Sequence, residues 1–300
     1  MPMTFKGDIQ KSGNRARTGG GGRTGSVVAG GGIGGLLIIG LFLLLGGNPG
    51  DIGQITGGGQ AQQQQPADPA QDPGLAHCQT GDDANQYADC RVEFTAISLD
   101  QMWTEVLPQQ AGLEYREPGL VVFEDATQSG CGYASANTGP FYCGGDQSAY
   151  FDVSFFNQLE QLGGENAPLA QMYIVAHEFG HHIQYIEGTL DLIDYNNPGE
   201  DSTAVLLELQ ADCYAGMWVN RADEGQDAML QTVTPEQVES AINTARAVGD
   251  DNIQRRSTGE VQPDLWTHGS SEQRQEAFLR GYNSGNMSSC DYLNTGNYAA

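Results

Sequence analysis

Basic residues are scarce in this 300-residue chain, and lysine is nearly missing. Lysine and arginine together number 13 against 38 aspartates and glutamates, and no lysine follows Lys11. Contact with nucleic-acid phosphates needs a basic face, so that class of partner is excluded. The acidity otherwise reads as a solvated surface. Histidine is sparse too, at five residues, so its placement carries information. The six cysteines include no C-x-x-C pair, which argues against a cysteine-based structural zinc site. Charge is absent altogether from residue 24 to residue 50.

That uncharged stretch contains about twenty apolar and glycine residues, 26–46, enough to cross a bilayer as a helix. Lys6, Lys11, Arg15, Arg17 and Arg23 precede it, and no basic residue follows until Arg91. The positive-inside rule then expects residues 1–25 in the cytoplasm and everything beyond the span exported. A cleavable signal peptide competes, but the apolar core is long and no clear A-x-A site follows. Residues 47–76 are rich in Gly, Gln, Pro and Ala and read as a flexible tether. The folded domain is therefore expected over 77–300, ample for one well-packed core. On this reading the protein is single-pass in the cell membrane, with its catalytic domain outside the cytoplasm. All six cysteines fall in the exported part, which suggests disulfides. The most local pairing is Cys78–Cys90, Cys131–Cys143 and Cys213–Cys290.

The centre of the chain is Ala176-His177-Glu178-Phe179-Gly180-His181-His182. Residues four apart share a helix face, so His177 and His181 can offer two imidazoles to one metal ion. Glu178 then stands beside the metal, where a base would take a proton from activated water. Leu169, Met172, Tyr173, Val175, Phe179 and Ile183 make the surrounding helix apolar nearly all round, with Gly188 as its stop. His182 points about a third of a turn away and is assigned packing or hydrogen bonding.

A catalytic zinc takes three protein ligands and leaves one position open. Glu208 lies on a second apolar helix, expected over 203–220, which a loop can fold back on the first. Asp212, one turn later, suits the carboxylate that fixes a metal-bound histidine. Near the C-terminus, His268 precedes a helix capped by Ser270 or Ser271 and is a candidate donor to a developing oxyanion. Arg274, in that helix, is assigned a structural role, paired with Glu272 or a core carboxylate. Upstream, residues 91–97 read as a short strand, and Ser98 as the N-cap of a helix. Residues 120–123 and 148–153 read as strands, with a helix over 154–162. The segment between Cys131 and Cys143 reads as a hairpin-like loop. The 148–153 strand is a candidate to pair with an extended peptide by edge addition.

With Gly139-Pro140-Phe141-Tyr142-Cys143, Glu208-Leu209-Gln210-Ala211-Asp212 and Thr267-His268-Gly269-Ser270-Ser271-Glu272-Gln273-Arg274 in order around the central motif, the chain resembles the bacterial putative neutral zinc metallopeptidase family, whose members are membrane-anchored. The opening Met3-Thr4-Phe5 and the glycine-rich anchor are similar to family members as well. Through Glu208-x-x-x-Asp212 it also resembles the wider gluzincin peptidases. The resemblance implies Glu208 as third zinc ligand and His268 as a residue that steadies the transition state. The expected fold is α+β: a zincin-like metallopeptidase domain, mostly helical with a small sheet, after one transmembrane helix and a linker. The expected function is Zn²⁺-dependent hydrolysis of a peptide or protein substrate. Two alternatives are a tethered binding or structural protein with a metal-stabilised fold and a zinc amidase acting on cell-wall peptides.

Overall fold

The computed structural model describes residues 4–19, 75–135 and 138–299. The expected membrane span at 26–46 and nearly all of the tether at 47–76 lie outside them. The described residues form an α+β unit of eight α-helices, a four-stranded sheet and a two-stranded hairpin.

The first element is β1 (Arg17–Gly19), and the chain resumes before a short helix, α1 (Gly81–Gln86). Thr80 and Asp83 close a capping box at its start. The long helix α2 (Ala88–Ala111) follows and overturns the strand expected at 91–97. Val92, Ala96, Leu99, Trp103 and Val106 continue one helical stripe straight through that region. Over Cys90–Asp100 the helix is buried nearly all round, so Arg91, Glu93 and Thr95 are enclosed as well, and their polarity imitates alternation. Ser98 is accordingly not a cap but an interior residue whose Oγ accepts from Trp218 Nε1 at 3.1 Å.

The sheet combines β1 with β2 (Gly119–Phe123), β5 (Phe141–Cys143) and β6 (Ser148–Asp152), in the order β1-β2-β6-β5. Strands β1, β2 and β6 run parallel, and β5 pairs antiparallel with β6. Between β2 and β5 stand β3 (Ala126–Ser129) and β4 (Gly132–Ser135), a separate antiparallel hairpin. Over Ser148–Tyr150, β6 is paired on both sides, with β2 and with β5, so that part of it is not a free edge for an added peptide. Asp152 then caps a 3₁₀ turn, Val153–Asn157, and only the short α3 (Leu159–Leu162) follows where a continuous helix was expected.

Helix α4 (Pro168–Glu187) carries the central motif. Pro168 sits in its first turn, where a missing N–H costs nothing, and Gly188 ends it at φ 72°. Every residue from Leu169 to Gln184 is buried, against α2, the sheet and α5 (Thr203–Arg221). Two further helices, α6 (Pro235–Ala247) and α7 (Asp250–Ser257), lead to α8 (Ser271–Ser284), which Ser270 caps. Helix α8 lies directly on α5. A Cβ on Gly281 would meet the Cys213 carbonyl oxygen at 1.8 Å, so only glycine permits this approach. Three disulfides, Cys78–Cys90, Cys131–Cys143 and Cys213–Cys290, agree with the most local pairing.

The N-terminal segment belongs to this same unit. Phe5 is fully buried against Phe94, with ring centroids 5.8 Å apart. Lys6 N donates to Met229 O at 2.9 Å, and Gln231 N donates to Thr4 O at 2.8 Å. Arg15 Nε donates to Asp100 Oδ2 at 2.6 Å, and β1 completes the sheet beside β2. This corrects the expected transmembrane helix between that segment and the domain. A single crossing between Gly19 and Leu75 would put two interlocked parts of one core on opposite sides of a membrane. Among the described residues, no helix is long and apolar enough to cross one. The fold thus contradicts the expected transmembrane helix and single-pass anchoring.

Candidate metal centre

Two antiparallel neighbours, α4 and α5, supply the core of the site. They approach closely because Gly180 faces Ala211, where a Cβ would lie 2.9 Å from the Ala211 Cα. One turn along α4 joins His177 to His181, and their rings meet edge to face at 4.8 Å. Glu208 reaches across from α5: its Oε2 is 3.2 Å from His177 Nε2, and its Oε1 is 3.5 Å from His181 Nε2. One donor atom from each of the three residues lies within 4.8 Å of the others, a set able to hold a metal ion. Glu208 Oε1 is buried with no hydrogen-bond partner among the described residues.

The donor chemistry fits zinc. Each histidine commits Nδ1 to a protein acceptor and keeps Nε2 for the ion. His177 Nδ1 donates to Asp212 Oδ1 at 2.8 Å, and His181 Nδ1 donates to Gln184 Oε1 at 2.9 Å. Two imidazoles and a carboxylate are the ligand types of open zinc sites, and no cysteine joins them. Burial opposes a charged imidazole at His177, yet Asp212 and Glu208 pull its pKa up to about 10. Burial likewise opposes charge on Glu208, but His181, His177 and His268 hold its carboxyl well below the usual range. Such a pocket attracts positive charge.

Asp212 is the hub of the buried polar shell. Its Oδ1 accepts from Tyr173 Oη at 2.5 Å, from His177 and from Arg274 Nη2 at 3.0 Å. Its Oδ2 accepts from Arg274 Nε at 2.8 Å. Arg274 thus pairs with a core carboxylate, one of the two partners its sequence position suggested, and it also lines the cleft. Glu178 lines the cleft beside the three clustered residues, where burial raises its carboxyl above the ordinary range.

His268 faces the same cleft from the loop between α7 and α8. Sequence reasoning missed what holds it. Asp250, the first residue of α7, accepts at Oδ2 from the backbone N–H groups of Thr267, His268 and Gly269, at 2.8, 2.7 and 3.1 Å. Its Oδ1 accepts from His268 Nδ1 at 3.2 Å. Burial works against a protonated ring here, but the Asp250 charge and hydrogen bond leave the His268 pKa raised. Tyr173 and Gln184 were missed as well; Tyr173 counted only as one of the apolar residues of the helix, and nothing marked Gln184. His182 keeps its expected packing role. Its Nε2 donates to Arg116 O at 2.6 Å, Tyr142 Oη donates to its Nδ1 at 2.9 Å, and burial lowers its pKa to about 4. The remainder of the cleft is apolar, with Phe141, Phe155, Ile174, Val248 and Ile253 on its walls.

Two histidines and a glutamate presented by a helix pair in an open, largely apolar cleft form a donor set of the kind found in zinc peptidases, able to hold a metal ion. The whole chain agrees with that class: a family model described as putative neutral zinc metallopeptidase matches residues 6–293, and the protein belongs to this family. An uncharacterized protein of Mycobacterium bovis is 41% identical over 223 residues, covering 72% of this chain and 74% of its own length. The uncharacterized protein YpfJ of Escherichia coli is 36% identical over 211 residues, covering 68% and 71% respectively. No solved structure matches. The match from residue 6 onward takes in the N-terminal segment that the fold incorporates.

Proposed function

We propose that the protein is a zinc-dependent endopeptidase in which His177, His181 and Glu208 hold the ion and Glu178 is the general base. The observation that carries this reading is the convergence of two Nε2 atoms and the unpartnered Glu208 Oε1 on one point at the floor of an open cleft. When bound there, zinc would supply a Lewis acid that lowers the pKa of water to about 7 and polarises a carbonyl. Glu178 takes the proton of the attacking water on its carboxylate and returns it to the nitrogen of the departing amine. Asp212 holds His177 in the tautomer that frees Nε2, and Arg274 keeps Asp212 ionised inside the protein. His268, kept protonated by Asp250, donates from Nε2 to the oxygen that gains charge as the tetrahedral intermediate forms. The three disulfides support folding in an oxidising compartment, outside the cytoplasm.

The reading as a purely structural zinc protein is disfavoured by the cleft itself. A structural site is closed by a fourth protein ligand, whereas here a carboxylate base and an Asp-held histidine flank the group. Metal analysis combined with casein and peptide-library hydrolysis, with and without chelator, tests the proposal. Glu178→Gln should retain zinc at one equivalent and lose about 10²–10⁴-fold in kcat. Undiminished cleavage by that variant would rule out Glu178 as base.

A further inference from the structure

The two histidines of the centre are held differently. His177 leans on the carboxylate of Asp212, whereas His181 leans on the neutral amide of Gln184. A carboxylate only accepts hydrogen bonds, so it fixes a histidine tautomer by itself. An amide can turn over and present its nitrogen instead. If Gln184 turned over, His181 Nδ1 would become an acceptor, and the ring proton would move to Nε2, the atom needed for metal. Something must therefore hold this glutamine in one sense.

The restraint can be followed bond by bond. Gln184 Nε2 donates to Leu207 O at 2.6 Å and to Gln210 Oε1 at 3.1 Å. Gln210 must then turn its own nitrogen outward, and Nε2 donates to Tyr298 Oη at 3.2 Å. Tyr298 Oη lies 3.1 Å from Tyr214 Oη, and Tyr214 Oη donates to Glu187 Oε1 at 2.9 Å. Tyr298 also hydrogen-bonds Glu187, so whichever hydroxyl donates between the two tyrosines, the Tyr298 proton is spent on that side and its oxygen accepts from Gln210. The bonds from His181 through Gln184 and Gln210 to Tyr298 are thus all directed the same way, and the series ends on the Glu187 carboxyl, which can accept in either protonation state. Gln184 and Gln210 are wholly buried, so water cannot substitute for a lost partner.

Tyr298 is remote from α4 in sequence and belongs to the C-terminal tail. The Cys213–Cys290 disulfide pins the start of that tail to α5, and Ala299 N donates to Gln110 O at 2.7 Å near its end. We propose that the docked C-terminal tail is a positioning element of the metal centre: Tyr298, acting through Gln210 and Gln184, holds His181 in the tautomer that leaves Nε2 free. The proposal rests on the metallopeptidase reading for the identity of the ion. The Leu207 carbonyl is one lock on Gln184, and the tail provides the second.

The test is zinc affinity of the full chain, measured by competition with a chromogenic chelator. Partners of this kind typically contribute about 10–100-fold in metal affinity, so Tyr298→Phe should weaken zinc about tenfold. Gln210→Leu should do the same, and Tyr298→Phe added to Gln210→Leu should cost nothing more. Melting of each variant after chelator treatment, within a few degrees of the wild type, separates this effect from loss of fold. His177→Ala is the control for the metal reading and should abolish binding. If His177→Ala abolishes binding but Tyr298→Phe leaves affinity unchanged, the tail has no positioning role and the peptidase reading stands. An equal further loss in the Gln210→Leu background would mean that Tyr298 acts by another route, which also overturns the proposal. Failure of the wild type to take up zinc would remove the metal reading and the proposal together.

Discussion

Lys11 and Glu93 form an ion pair, Nζ to Oε2 at 2.5 Å, with both side chains sealed from solvent. One partner comes from the N-terminal segment and the other from the buried face of α2. The same Glu93 accepts at Oε1 from the backbone N–H of Arg15 at 2.8 Å. A glutamate placed in the core in this way needs the lysine as much as the lysine needs it.

Lys11→Met should therefore destabilise the protein by about 3–5 kcal/mol, the usual cost of stranding one buried charge. Urea unfolding measures it. The double variant Lys11→Met, Glu93→Leu should recover part of the loss. Removal of residues 1–19 should cost more than either, because it also strips Phe5 from the core and β1 from the sheet. A truncated chain as stable as the full one would contradict the integral role of this segment. Protease-cleavable tags at the two ends should report the same side of the membrane in intact cells.

Asp212 receives four hydrogen bonds and depends on Arg274 for its charge balance. Arg274→Leu should cost about 3–5 kcal/mol and weaken zinc, since an unpaired carboxylate at this depth tends to take up a proton. Arg274→Lys should rescue only in part, because a point charge cannot reproduce the two-pronged contact. Equal zinc affinity in all three proteins, measured by chelator competition, would mean that Arg274 is merely packing.

Gly180 is the contact point of the two site-bearing helices. Gly180→Ala should push α4 from α5, costing about 1–3 kcal/mol by overpacking and drawing Glu208 away from the histidines. Thermal melting and zinc titration should move together. A variant destabilised but unchanged in zinc affinity would show that the helix spacing does not set the ligand geometry.

Glu187 carries a pH dependence. Burial raises its carboxyl from the ordinary 4.5 to about 7, although Tyr214 donates to it. A carboxyl whose pKa is higher folded than unfolded favours the folded state fully below pH 4.5 and gives up that advantage as pH rises through 7. The change amounts to roughly 3 kcal/mol at 1.36 kcal/mol per pH unit. Glu187→Gln should flatten the decline in stability across this window, read from urea unfolding at stepped pH. A slope identical to the wild type would assign the dependence elsewhere.

Much of the site could be read from short-range spacing. His177 and His181, and likewise Glu208 and Asp212, are each one turn apart, and helix geometry alone puts each pair on one face. The local disulfide pairs were legible for a similar reason, with Cys78–Cys90 and Cys131–Cys143 each separated by 12 residues. The strand expected at 91–97 failed because a helix enclosed on all sides loses the polar stripe that marks its period.

What the amino-acid sequence determined alone was the candidate donor set and its order: two imidazoles, a neighbouring carboxylate and a distant one on two apolar helices. Tertiary structure decided which groups hold those donors. Asp250 is 18 residues from His268, Gln184 touches Gln210 across two helices, and Tyr298 comes from the far end of the chain. It also decided that residues 4–19 fold with the domain, which conflicts with the transmembrane helix inferred from an apolar run. Local pattern reports on neighbours within a turn or two. Partners brought together by packing leave no period in the sequence, because burial and charge balance act on distance in space.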